Sequence, residues 1–185
     1  MATGTNIYQD IAARTAGNIY MGIVGPVRTG KSTFIKRFMD LLVLPNVADA
    51  YEKERVQDEL PQSGSGRTIM TTEPKFIPAE AVSLNLPGNL HLKVRLVDCV
   101  GYMVKSAMGH MENGQSRMVH TPWKEEAMPF EEAAEYGTRK VINDHSTVGI
   151  VVTTDGSIGD FAREDYLEAE KRVVEELSKQ GKPFV

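Results

Sequence analysis

Cysteine is nearly missing from this sequence. Cys99 stands alone among 185 residues, so no disulfide can close within the chain, and the composition reads as suited to a reducing compartment. Histidine is as sparse: the four residues are dispersed and show no zinc-ligand spacing. An excess of positive charge is also lacking, since 21 Lys and Arg face 25 Asp and Glu for a net charge of −4. That balance carries no electrostatic footprint for nucleic acid, and no nucleic-acid partner is expected. Nor is there a long apolar run. Nothing approaches the ~20 residues of a membrane-spanning helix, and the N-terminal stretch, with Asp10 and Arg14, lacks the apolar core of a signal peptide. The expectation is a cytosolic chain with no direct membrane span, which reaches a membrane only through a partner or through residues outside this sequence. No internal repeat is visible, and 41% apolar residues over this length suffice for one packed domain.

What is present is organised around the stretch from Ile19 to Ile35. Gly25-Pro26-Val27-Arg28-Thr29-Gly30-Lys31-Ser32 reads G-x-x-x-x-G-K-S, followed by Thr33, between an apolar strand and an amphipathic helix. That context makes the match credible as a nucleoside triphosphate site. Gly25 and Gly30 let successive backbone N–H groups turn inward toward an anion, and the helix beginning near Lys31 adds its positive end. Lys31 is positioned by this spacing to reach the β- and γ-phosphates, and the Ser32 hydroxyl to ligate Mg²⁺. The plainer reading is a glycine-punctuated strand-to-helix turn with a surface lysine. Motif, strand and helix agree against it.

Around this loop the hydrophobic pattern gives a short helix over Asn6 to Thr15, a strand from Ile19 to Val24 and a helix to about Leu44, stopped by Pro45 and Asn46. Asp49 to Leu60 reads as a charged, exposed helical segment. Pro61 to Gly66 reads as a mobile loop. Ala81 to Leu86 and Leu90 to Val97 flank Pro87-Gly88-Asn89 as a hairpin, with Leu92, Val94 and Leu96 alternating against His91, Lys93 and Arg95. Tyr102 to Phe130 is longer than most loops in compact domains; within it Trp123 reads either as a contact surface or, by preference, as a core anchor. A helix over Glu131 to Asn143, a strand over Thr147 to Thr153 and a helix from Arg163 to Gln180 follow, and Lys182 to Val185 begins another strand. The order predicts an α/β P-loop NTPase, a GTPase-like three-layer sandwich with a mostly parallel sheet and one antiparallel hairpin.

The strand ending at Asp98 runs into Cys99-Val100-Gly101. An apolar strand ending in Asp-x-x-Gly downstream of a P-loop is the second signature of this class: the aspartate helps hold Mg²⁺, and the glycine N–H reaches the γ-phosphate. Thr71 and Thr72 precede the hairpin where a first-switch threonine meets Mg²⁺ and the terminal phosphate; alternatively they are ordinary β-branched strand residues. No glutamine follows Gly101, and Tyr102 stands where a water-orienting side chain is often found. Either another residue places the water or hydrolysis is intrinsically slow. Arg28 and Arg67 are candidates for stabilising the transferring phosphoryl group, with a solvent-facing position as the default for each. The base-reading Asn/Thr-Lys-x-Asp of GTPase-like domains occurs nowhere in the chain, so these residues do not choose between adenine and guanine.

Four blocks carry a more specific resemblance: Gly25 to Lys36, Thr68 to Phe76, Val94 to Tyr102, and Val141-Ile142-Asn143-Asp144-His145-Ser146-Thr147. Together they resemble the N-terminal domain of the stage IV sporulation protein A family of endospore-forming bacteria, over almost the whole chain. The resemblance implies a morphogenetic ATPase related to the translation-factor class of GTPases, using ATP and Mg²⁺ rather than GTP. It implies self-association into a polymer on the outer forespore membrane, in the cytoplasm of the mother cell, as the foundation of the spore coat. A small amphipathic membrane-anchor protein and other coat proteins are implied as partners of C-terminal regions outside this sequence, residues 1–185 being an N-terminal P-loop domain cut within its fold. Carried onto this chain, Lys31 matches the P-loop lysine, Asp98 the Mg²⁺-associated aspartate, and Thr71 and Thr72 the pair that senses the γ-phosphate and supports hydrolysis.

Three functional classes follow. An enzyme with a mechanical output uses ATP hydrolysis to switch into a polymerising form. A GTP-dependent regulatory switch exchanges partners without building a polymer. A structural coat scaffold binds nucleotide without catalysis.

Overall fold

The computed structural model describes residues 16–61, 72–86, 90–104, 107, 111–112, 115–157 and 161–185. The expected helix over residues 6–15, the expected loop at 62–66, Arg67, Thr71 and the expected hairpin turn at 87–89 lie outside them.

Strand β1 (Asn18–Val24) is parallel to β3 (Leu90–Asp98) on one side and to β8 (Val148–Val151) on the other. Its apolar run suits a strand covered on both faces. β2 (Lys75–Leu86) pairs antiparallel with β3, the register shifting between Ile77 and Val82, and the sheet order is β2-β3-β1-β8. The expected alternation holds along β3, where Leu92, Val94 and Leu96 are buried and His91 and Lys93 exposed. At the other edge Gly149 N–H donates to Pro183 O at 2.9 Å and Val185 N–H to Gly149 O at 3.0 Å. Where the sequence led us to expect a further strand, residues 183–185 make an isolated parallel bridge to β8 at Phe184.

Helix α1 (Lys31–Phe38) follows the loop after β1, but regular winding stops earlier than the periodicity implied. A π-helical turn over Met39–Val43 and a 3-10 turn over Leu44–Asn46 complete it, with Met39 and Val43 buried and Leu41 and Leu42 exposed. α2 (Ala50–Asp58) is capped by Asp49, whose Oδ1 accepts from Glu52 N at 2.7 Å. It is less exposed than its charge suggested, because Val56 is fully buried.

The segment from Tyr102 to Phe130 departs most from expectation. Instead of one long loop it carries two small hairpins, β4 (Met111–Glu112) with β5 (Gln115–Ser116), and β6 (Met118–Thr121) with β7 (Lys124–Pro129). Their strands are too short for a period to show in the sequence. Trp123, between β6 and β7, is half-buried and packs on Tyr136 with ring centroids 5.0 Å apart. Tyr136 belongs to α3 (Phe130–Lys140), which continues through a π-helical turn at Val141–His145; α4 (Arg163–Lys179) follows β8.

Two apolar clusters divide the molecule. One joins Ile35, Met39 and Val56 to Ile23, Ile77 and the buried side of β3 at Leu92, Val94 and Leu96; the other joins Tyr166, Val173 and Leu177 to Val24, Val97, Tyr102 and Ile142. Helices α1 and α2 therefore cover one face of the sheet and α3 and α4 the other. Among the described residues no helix is long and apolar enough to cross a membrane.

Candidate nucleotide-binding site

In an open α/β sheet the crevice for a ligand lies beyond the carboxyl ends of adjacent strands whose connections leave in different directions. Here those strands are β1 and β3. Ile23 is in register with Asp98, so the loop after β1 and the Asp98–Gly101 segment emerge side by side. Two backbone bonds fasten them: Tyr102 N–H donates to Gly25 O at 3.2 Å, and Val27 N–H donates to Tyr102 O at 2.9 Å.

The loop's shape needs glycine at two close approaches. Gly25 has φ 144°, and a Cβ there would lie 2.2 Å from Val152 O. Gly101 has φ 94°, and its Cβ would lie 2.2 Å from Gly25 O and 2.7 Å from Lys31 Nζ. The second contact places Gly101 directly over the lysine. Pro26 and Val27 are buried, Thr29 Oγ1 donates to Pro26 O at 3.0 Å, and Phe34 N–H donates to Gly30 O at 2.8 Å. Gly30 precedes α1 without any side-chain cap, and no acidic residue stands in the helix's first turn, which includes Ser32 and Thr33. That end is left suited to an anion.

Lys31 is buried, with Nζ donating to Pro26 O at 2.6 Å. Burial lowers its pKa, while the nearby Cys99 and Asp98 act in the opposite direction. Ser32 Oγ donates to Asp98 Oδ2 at 2.7 Å. Burial raises the Asp98 pKa, opposed by the Ser32 bond and by Lys31. The other carboxylate oxygen, Oδ1, is buried without a hydrogen-bond partner. A buried carboxylate oxygen left so beside a serine hydroxyl is the donor chemistry a hard divalent cation takes. Among the described residues no group of three or more His, Cys, Asp and Glu gathers that could hold a metal ion.

The structure thus brings together Lys31, Ser32, Asp98, Gly25 and Gly101. It does not join Thr72 to them. Thr72 is buried, and its carbonyl lies against Gly137 of α3, where a Cβ would come within 2.6 Å. Arg28 corrects its solvent-facing default. It is half-buried at φ 62°, with Nε buried and unpartnered. Tyr102 is equally changed: only 1% exposed, it donates its hydroxyl to Glu176 of α4, and the Arg172 guanidinium sits 4.2 Å from its ring centroid. Arg172 is itself held by both oxygens of Glu135, at 2.6 and 2.8 Å. A side chain locked this way is a packing anchor and does not orient a water.

Sequence reasoning missed Thr138, whose Oγ1 accepts from Gly101 N–H at 3.1 Å. Nothing in the spacing links a threonine on α3 to that glycine.

The chain matches the family model described as "Stage IV sporulation protein A, ATPase domain" over residues 2–185. It is 61% identical over 180 residues to stage IV sporulation protein A of Bacillus subtilis (strain 168), covering 97% of this chain and 37% of that protein. The protein of the same name from Clostridioides difficile (strain 630) is 60% identical over 179 residues, covering 97% of this chain and 36% of its own length. That from Bacillus anthracis is 60% identical over 180 residues, again covering 97% and 37%. The chain therefore spans little more than a third of the relatives it matches.

Proposed function

Since this chain belongs to the stage IV sporulation protein A family and matches its ATPase domain, we propose that it binds ATP in the loop of residues 25–33 and hydrolyses it with Mg²⁺. The observation that carries the reading is the Ser32–Asp98 pair, 2.7 Å apart, with an orphaned carboxylate oxygen beside the buried Lys31. No base-reading tetrapeptide is present, so the preference for ATP over GTP rests on the family.

Each residue has a defined part in this reading. Lys31 exchanges its bond to Pro26 O for β- and γ-phosphate oxygens, a better partner for a buried ammonium. The amides at the start of α1 and that of Gly101 donate to phosphate oxygens. Mg²⁺ would supply neutralisation of charge on those oxygens; Ser32 and Asp98 would help hold it, with Thr71 from the first-switch segment. Thr71 and Thr72 respond to the γ-phosphate. The unpartnered Nε makes Arg28 the side chain available for charge developing on the transferring group. With Tyr102 tied to Glu176, slow turnover is expected, which suits a protein that hydrolyses once to assemble.

Hydrolysis then converts the protein into a polymerising form on the forespore surface, the base layer of the spore coat, within the mother-cell cytoplasm. Contacts to a small amphipathic membrane-anchor protein and to other coat proteins are assigned to the part of the relatives that this chain does not span. The test is phosphate release and sedimentation of the full-length protein, beside Thr71→Ala and Thr72→Ala. Both variants should keep nucleotide binding and lose release and polymer together. Guanine preference with reversible partner exchange would favour a regulatory switch, and tight binding without release a scaffold.

A further inference from the structure

Thr138 is fully buried on α3, and its hydroxyl proton is committed: Oγ1 donates to Ala134 O at 2.8 Å. What Oγ1 offers Gly101 is therefore a lone pair, and the 3.1 Å contact is donation from the glycine N–H. Gly101 also meets the loop, where a Cβ on it would fall 2.7 Å from Lys31 Nζ. One glycine thus touches both a threonine acceptor and the lysine that the proposed function gives to the terminal phosphates.

We propose that Thr138 is a positioning residue that sets the discrimination between nucleoside triphosphate and diphosphate, by competing with the γ-phosphate for the Gly101 N–H. The inference rests on the reading that residues 25–33 bind ATP. The exchange needs rotation of the Val100–Gly101 peptide, which changes φ at Gly101; at φ 94° and without a Cβ that residue can make the change where others cannot. A phosphate oxygen is the stronger acceptor, because its bond is charge-assisted. The triphosphate therefore wins the donor, but by a margin reduced by whatever the Thr138 bond is worth. A diphosphate presents no terminal phosphate there and leaves that bond in place. The same turn of α3 touches the other responsive segment, since Gly137 lies against Thr72 O. Moving Gly101 off Thr138 thus acts on the helix that also supports Thr72.

The experiment measures the dissociation constants of a non-hydrolysable ATP analogue and of ADP, each with Mg²⁺, for the full-length protein and for Thr138→Val, Thr138→Ala and Thr138→Ser. Removing the acceptor leaves the buried N–H with the Cys99 thiol, a weak sulfur acceptor, as its protein neighbour, so the γ-phosphate meets less competition for it. Thr138→Val should tighten the analogue by about five-fold, the worth of one neutral hydrogen bond, with ADP changed by less than about two-fold. Thr138→Ala gives the same selectivity if the valine side chain perturbs folding, and Thr138→Ser, which keeps the hydroxyl, should match the parent protein. Equal shifts for both ligands, or a serine variant that behaves like valine, would overturn the role of Thr138 while leaving the ATP site standing. Failure of the parent protein to bind either ligand, or undiminished binding by Lys31→Ala, would instead overturn the reading on which the inference rests.

Discussion

Ser32 Oγ and Asp98 Oδ2 lie 2.7 Å apart although 66 positions separate them in the chain. The parallel pairing of β1 with β3 makes the contact, because it brings the ends of both strands to one edge of the sheet. The carboxylate is held in a buried position with one oxygen unpartnered, an arrangement that costs stability and favours a cation.

Asp98→Asn should separate stability from function. Burial raises the Asp98 pKa, so the favourable protonated form prevails at low pH and its contribution is lost as pH rises through the shifted value. At neutral pH the charged side chain works against folding. Removing the charge should raise stability by about 1 kcal/mol, seen as a higher melting temperature without ligand, while Mg²⁺-dependent turnover falls by at least about ten-fold. Unchanged Mg²⁺ dependence would make Asp98 a structural strand-end residue.

Lys31→Ala should weaken ATP by about 10- to 100-fold or more, the scale of hydrogen bonds to a charged group, measured by titration calorimetry. The loss should not come from unfolding, since the lysine carries a desolvation penalty in the fold. Its melting temperature is expected to equal or exceed that of the parent.

Arg28→Ala tests the unpartnered Nε. Release of phosphate should fall by at least about ten-fold with ATP affinity within about three-fold, the signature of an interaction made mainly in the transition state. Equal loss of affinity and rate would assign Arg28 to ground-state binding.

Tyr102 ties the segment after Gly101 to α4 through Glu176. Burial first, and then the bond to Glu176, raise its pKa well above 10. A raised folded value means that the stabilisation is complete below pH ~10 and is lost as pH climbs beyond it. Tyr102→Phe should cost about 1.5 to 3 kcal/mol at pH 7 and flatten the alkaline fall in melting temperature above pH ~10 relative to the parent. A parallel fall in both proteins would place the alkaline sensitivity elsewhere.

Legibility in the sequence followed distance along the chain. The loop from Gly25 to Ser32 is contiguous, and Asp98 and Gly101 sit at a fixed spacing after an alternating strand, so their types pointed to the candidate site. The sandwich was readable for the same reason: strand and helix periods are local. Thr138 was not readable, because its partner is 37 positions away and a buried threonine on an amphipathic helix looks like any other. Tyr102 was misleading by position, since only the packing of α4 reveals that Glu176 and Arg172 hold it. Arg28 could not be judged either, because a left-handed φ at a non-glycine residue is imposed by the closed loop.

The most direct measurement is phosphate release from ATP and from GTP, with Mg²⁺, by the full-length protein beside its Lys31→Ala variant. Release from ATP in clear preference to GTP, lost in the variant, is the expected result. Preference for GTP, no release from either, or release that survives Lys31→Ala would contradict the assignment of this chain as an ATPase acting through Lys31, Ser32 and Asp98.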